Sequence, residues 1–256
     1  MSVRIDVPDG GRWFAGHLPG RPILPGVAQL HFIVDAIRRT HTGIGPLARI
    51  RHARLRRLIA PGETLELTSK VGEGGLIQAT LARAGTPVTQ ATLVFGTLPP
   101  PPRASESFVV SGPDVEAAPL DALLPQRPPM RFVTALVAER PDGLVCTACI
   151  PADCALVSGS SAPALAAIEA AAQTAAAWEA LRRVGGGAGA RIGYIVALRD
   201  IALFCETIGA AKPLLASVRL EDAALPLTRY AAEVACEGAI LMRGTIATYL
   251  TDTSAS

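Results

Sequence analysis

The chain of 256 residues has few aromatic side chains, 4% of the total, and few charged ones, 18%. The scarcity of aromatics means that its hydrophobic half is made of Ala, Leu, Val and Ile. Such a core closes by packing small side chains at short range, with few large anchors. Low charge together with ample apolar surface excludes a disordered chain. A long unbroken apolar run is also missing. The most apolar long stretch, Ala162 to Leu181, is interrupted by Glu169, Gln173 and Glu179, whereas a membrane span needs about 20 predominantly apolar residues. The opening residues, Met1 to Asp9, hold no apolar segment of a secretory signal. The expectation is a soluble, cytoplasmic chain without a membrane span.

Histidine is restricted to four residues, all between His17 and His52, and the five cysteines all lie in the second half. Cys146 and Cys149 have the spacing of half a zinc site, but no second pair or nearby His completes it. Buried, reduced thiols in strands are the expectation. A net charge of +2 is too small to make nucleic acid a main partner. The charge is uneven, however. Residues 1–100 carry 12 Lys and Arg against 6 Asp and Glu, and the rest carry 12 against 16. A local basic surface on the first half would attract an acidic partner.

What is abundant is proline at one place. Pro99 to Pro102 remove four N–H donors in succession and favour a stiff, extended spacer. This divides the chain into residues 1–98, a linker at 99–118, and residues 119–256. Each part carries a helical pattern, about Val27 to Arg39 and Pro163 to Arg183. Strand-like segments follow each one, at Leu47 to Ala60, Thr64 to Val71, Leu76 to Ala84 and Val88 to Leu98, then at Ile192 to Phe204, Leu214 to Glu221, Thr228 to Glu237 and Ala239 to Leu250. Two more precede the second helix, Arg131 to Glu139 and Leu144 to Pro151. The order predicts α+β with antiparallel sheet. The second helix has Ala on every face, which suits a helix enclosed by a curved sheet.

Setting Pro25 against Pro163 aligns the two loop-helix segments without a gap, both prolines suiting a first helical turn. His17 then faces Ala155, and His31 faces Glu169. The segment Gly16-His17-Leu18-Pro19-Gly20-Arg21-Pro22-Ile23-Leu24-Pro25-Gly26-Val27 resembles the G-H-F-P-G-x-P-x-x-P-G loop of the 3-hydroxyacyl-acyl-carrier-protein dehydratases, with Leu18 in place of Phe. In that family an acidic residue follows the His by fourteen positions. Here that slot holds His31, while the matching slot of the second part holds Glu169, followed by Gln173 in the pattern E-x-x-x-Q. Leu124-Pro125-Gln126-Arg127-Pro128-Pro129-Met130 resembles the family's L-P-H-x-x-P-[FM] opening, with Gln126 in place of its His.

The resemblance implies a double hotdog, two antiparallel sheets each wrapped around a long central helix and joined as a pseudo-dimer. It implies one composite site, His17 from the first part and Glu169 from the second, while Ala155 and His31 would form an inactive counterpart. It further implies an oxyanion or substrate-binding role for Gly26 and Val27, no metal or redox cofactor, and a substrate carried on the phosphopantetheine of acyl carrier protein. The pair of halves resembles the two small dehydratase-like proteins of aryl polyene pathways, joined in one chain. Association of such chains into a homo-oligomer stays open.

The chemistry suits these residue types. Dehydration needs a base for the α-proton, for which neutral imidazole is matched near pH 7, and an acid for the departing hydroxyl, for which burial favours a protonated carboxyl. Each residue also has a plainer reading. His17 can be a loop residue, Glu169 a solvated helix residue, Gly26 a helix-entry residue and His31 a core or pocket residue. The basic run Arg49, Arg51, Arg54, Arg56 and Arg57 is either a solvated strand edge or a docking surface for the acidic carrier. Two other functions compete with dehydration: a hotdog acyl-thioesterase, and a non-catalytic partner that binds acyl carrier protein.

Overall fold

The computed structural model describes residues 2–104, 108, 119–184 and 191–252. In chain order the first half holds β1 (Ser2–Asp6), α1 (Gly26–Thr40), β2 (Leu47–Leu55), β3 (Thr64–Val71), β4 (Leu76–Arg83) and β5 (Thr86–Phe95). The second holds α2 (Leu120–Leu123), β6 (Val133–Arg140), β7 (Gly143–Ala148), β8 (Ser161–Pro163), α3 (Ala167–Val184), β9 (Arg191–Leu203), β10 (Thr207–Gly209), β11 (Leu214–Ala224), β12 (Leu227–Cys236) and β13 (Ala239–Asp252).

Eleven strands form one antiparallel sheet in the order β1-β3-β4-β5-β2-β9-β13-β12-β11-β7-β6. The two expected sheets are thus joined edge to edge. β2 pairs with β9 from Arg49 opposite Ala202 to Arg54 opposite Ala197. On either side of this seam the strand order repeats, β5-β4-β3 against β13-β12-β11. The result is a double hotdog with α1 and α3 as its two central helices. Short β8 and β10 pair apart from this sheet.

β1 was not legible in the sequence pattern. It lies on the edge, with only Ile5 buried, and pairs with β3. Of the expected linker, residues 105–107 and 109–118 lie outside the described residues. Its first part is bonded to the second half. The amide of Ile240 donates to the carbonyl of Pro102, and Ala104 donates to Gly238.

The two helices solve different packing problems. α1 is amphipathic, burying Val27, Leu30, Ile33, Val34 and Ile37 while Arg38 and Arg39 sit at its C-terminal end, where cations complement the dipole. α3 touches strands on much of its circumference, from β6 and β7 to β9, β11, β12 and β13. Ala167, Ala170, Ala171, Ala175 and Ala177 are all essentially inaccessible. Ala lets the helix axis approach the sheet closely. Its one large anchor is Trp178, 2% exposed, packed edge-on against Tyr230 at 5.9 Å between ring centroids, with the Arg182 guanidinium 4.6 Å from the ring. Trp178→Ala is expected to remove about 3–5 kcal/mol of stability, since the surrounding Ala-rich core has little volume to collapse into the void. Urea unfolding of the variant checks this.

Candidate active site

The loop before α1 is built by its glycines and prolines. Gly16 has φ +74°, and a Cβ there would stand 2.1 Å from the carbonyl oxygen of Arg127, so only glycine permits this approach. The contact is bonded: the Arg127 amide donates to the Gly16 carbonyl at 2.7 Å. The turn from Leu124 to Met130, in the second half, is therefore locked to the residue beside His17.

The Nδ1 of His17 lies 3.1 Å from the carbonyl oxygen of Ile23. A carbonyl only accepts, so Nδ1 carries the hydrogen and Nε2 keeps a free lone pair. Burial lowers the His17 pKa from 6.5, with the nearby Glu169 charge and the Ile23 bond acting in the opposite direction. The ring is therefore neutral at pH 7.

Glu169 is in the first turn of α3 and 3% exposed. Its Oε1 accepts from Nε2 of Gln173 at 2.9 Å, one helical turn on. Gln173 is fully engaged. Its Nε2 also donates to the Met130 carbonyl at 2.6 Å, and its Oε1 accepts from the amides of Phe132 and Val133. The E-x-x-x-Q spacing thus hangs the carboxylate from a rigid bracket.

His17 and Glu169 line one cavity of about 310 Å³. Ala172, Ala176, Glu179 and Arg183, half-buried positions of α3, also line it. At 1.5 Å rise per residue, the cavity-lining positions from Glu169 to Arg183 extend about 21 Å along α3. Gly26, the first residue of α1, lines the cavity as well. A Cβ there would lie 2.8 Å from Cδ2 of Leu55, so a larger residue would push that side chain aside, and the N–H belongs to a helix start that leaves donors free. Val27 is fully buried and is not among the cavity-lining residues.

All five arginines of the basic run are exposed, but they separate. Arg56 and Arg57 line the cavity opening, whereas Arg49, Arg51 and Arg54 do not. Exposed Arg21 joins the opening. Sequence reasoning missed its place there, although it lies inside the motif loop. It also did not place Gln126, which is buried in the wall of this cavity.

The counterpart position is filled differently. Ala155 is buried, and His31 stacks on Trp13 at 5.5 Å with Phe32 edge-on to the same indole. Arg12 fastens this corner by donating to the carbonyls of Cys154 and Val157 at 2.9 and 3.0 Å. Burial lowers the pKa of His31 too, opposed by Asp35. All five cysteines are free thiols, and burial pushes Cys146 up to about 12. Among the described residues no three or more His, Cys, Asp and Glu side chains gather where a metal ion would be held. No helix among them is long and apolar enough to cross a membrane.

A family model for the ApeP dehydratase matches residues 118–256, more than half of the chain. The chain belongs to the ApeP-like dehydratase family. A second model, for the ApeI dehydratase, matches residues 1–83, so the chain is a fusion of an ApeI-like and an ApeP-like dehydratase domain. The 3-hydroxyacyl-acyl-carrier-protein dehydratase FabZ of Herpetosiphon aurantiacus is 33% identical over 97 residues, 32% of this chain and 67% of that protein. The chain spans about two thirds of the length of the curated relatives it matches. Among solved structures, a trans-AT PKS dehydratase domain from Brevibacillus brevis superposes with a TM-score of 0.76 at 15% identity, covering 98% of this chain and 94% of that one. The dehydratase heterocomplex ApeI:P from Xenorhabdus doucetiae gives 0.50 at 19% identity, over 54% of this chain and 93% of that one. These two likenesses concern the fold.

The lowered pKa values have a consequence for stability. Unfolded histidines take up protons near pH 6.5, while folded His17 and His31 resist until a lower pH. Their contribution is complete above 6.5 and is lost as pH falls through the folded values. The denaturant midpoint is expected to fall between about pH 7 and about pH 5, less steeply in the His17→Ala/His31→Ala double variant.

Proposed function

We propose that this dehydratase converts 3-hydroxyacyl-acyl-carrier-protein thioesters into trans-2-enoyl thioesters at one composite site, in a polyene or fatty-acid-like synthesis. The observation that carries this is a single cavity joining His17, with its Nδ1 spent on the Ile23 carbonyl, to buried Glu169 from the other half. Nε2 of His17 removes the proton from C2. The electron pair forms the C2–C3 double bond, the C3–O bond breaks, and the hydroxyl leaves as water with the proton of Glu169. The ring ends protonated and the carboxyl ionised, and proton return from one to the other resets the pair. Negative charge developing on the thioester oxygen is met by the Gly26 N–H at the positive end of α1. Burial serves this chemistry by keeping His17 neutral. The Val27 amide is a second donor of the same helix start, through its backbone only.

Arg21, Arg56 and Arg57 at the opening suit the phosphate of a phosphopantetheine arm and the acidic surface of its carrier. Arg49, Arg51 and Arg54 would extend that surface over the sheet. Charge reversal at Arg56 and Arg57 is expected to raise KM for the carrier-bound substrate, more at low salt, while leaving kcat within about twofold. Steady-state kinetics at two ionic strengths test it.

Mass spectrometry of 3-hydroxyacyl carrier proteins of several lengths tests the reaction itself. Loss of one water is the expected outcome. His17→Ala and Glu169→Ala should each lower the rate by about 10²–10⁴, while His31→Ala retains it. Release of free thiol without an alkene identifies a thioesterase instead, and unchanged substrate beside carrier binding identifies a non-catalytic partner. Full activity in either catalytic variant sinks the composite site.

A further inference from the structure

Three glutamines are buried, Gln29, Gln126 and Gln173, and all three line the cavity of His17 and Glu169. Two of them use both ends of the amide. Gln173 does so in the bracket described above. Gln29 donates to the Leu24 carbonyl at 3.4 Å and accepts from the Thr89 hydroxyl at 2.5 Å. Gln126 is different. It is 8% exposed, and its Oε1 is buried with no hydrogen-bond partner among the described residues. A carbonyl oxygen withdrawn from water nearly always has a donor, because leaving it unmet is costly.

The root of this side chain is held firmly. The Arg127 guanidinium donates to the carbonyls of Leu124, Pro125 and Gln126 at 2.7, 3.2 and 2.9 Å, so the turn is clamped from within. The next amide along, that of Arg127, is bonded to Gly16 beside His17. The turn ends at Met130, whose carbonyl takes the bond from Gln173, the residue that holds Glu169. Gln126 therefore stands on the one segment tied to both catalytic groups.

The geometry points to Gln126 as a substrate-binding residue whose Oε1 accepts the O–H of the substrate's 3-hydroxyl. This rests on the dehydratase reading. The departing hydroxyl must offer a lone pair to the acid, Glu169, and its own hydrogen is then free to donate. An acceptor carbonyl takes that hydrogen and turns the lone pair toward Glu169. No proton moves to Gln126, and the amide stays neutral throughout. An amide N–H of the phosphopantetheine arm is the other donor of the same chemistry, but the bonds of this turn to Gly16 and to the Glu169 bracket favour the reacting end.

Two ligands of equal chain length separate these sources. Both are joined to pantetheine by an amide in place of the thioester, which keeps C2 from ionising and prevents turnover, and only one carries the 3-hydroxyl. Calorimetric titration of the wild-type chain is expected to show about tenfold tighter binding of the hydroxylated ligand. Gln126→Leu, and the near-isosteric Gln126→Met should Leu fail to fold, are expected to abolish that preference and leave the 3-deoxy ligand unaffected. Equal weakening of both ligands assigns Gln126 to the arm and overturns the inference. An undiminished preference in a folded variant overturns it as well. Water loss from a 3-hydroxyacyl carrier protein is followed on the same preparations. Turnover with a Gln126-independent preference removes the inference alone, and a Gln126-dependent preference without turnover removes the dehydratase reading alone.

Discussion

Five backbone pairings between β2 and β9, from Arg49–Ala202 to Arg54–Ala197, are the constraint on which everything else rests. They turn two half-proteins into one sheet and bring α1 beside β9. The cavity forms between the halves, lined by the start of α1, one side of α3 and the strands β9 and β13. His17 and Glu169 line one cavity because of pairing between strands more than 140 residues apart in sequence. The seam is central, flanked by β5 and β13, and so is protected from fraying.

Onto that frame the chain adds buried amides that work as brackets. Gln173 spends both ends of its side chain on Glu169 and on the turn carrying Met130, Phe132 and Val133. The missing side chain of Gly16 lets the same turn touch the His17 loop. Position is thereby defined by backbone geometry, with little left to rotamer freedom, as the proposed proton transfer requires. Burial does the electrostatic part by keeping His17 neutral. At the pseudo-symmetric place the same scaffold carries Trp13 stacked on His31 beside buried Ala155. That place is occupied by packing.

Much of this could be read in the chain. The G-H-x-P-G-x-P-x-x-P-G loop, the E-x-x-x-Q spacing and the helix-then-strands order twice over located nearly every strand and both long helices. Local pattern is informative there because alternation and small-residue content are set by which face meets the core. The pattern failed at β1, where a single buried residue, Ile5, gives no alternation to detect, and at the three-residue strands β8 and β10, too short to show any. It also failed to divide the arginines. Arg49 to Arg57 look alike in sequence, yet only Arg56 and Arg57 reach the cavity, the two that lie just beyond the end of β2.

The sequence by itself determined an α+β chain in two related halves, with an Ala-rich enclosed helix in the second and a dehydratase-like loop motif in the first. Those properties follow from residue type and short-range spacing. Tertiary structure alone decided that the halves share one sheet, that His17 leaves Nε2 and not Nδ1 available, that Arg21 belongs with Arg56 and Arg57, and that Gln126 lines the cavity of His17 and Glu169 with an oxygen that has no partner among the described residues. Each of these depends on partners distant in the chain, such as β9 for β2 and Arg127 for Gly16. No local pattern carries that information, because hydrogen bonds and burial are properties of the assembled neighbours.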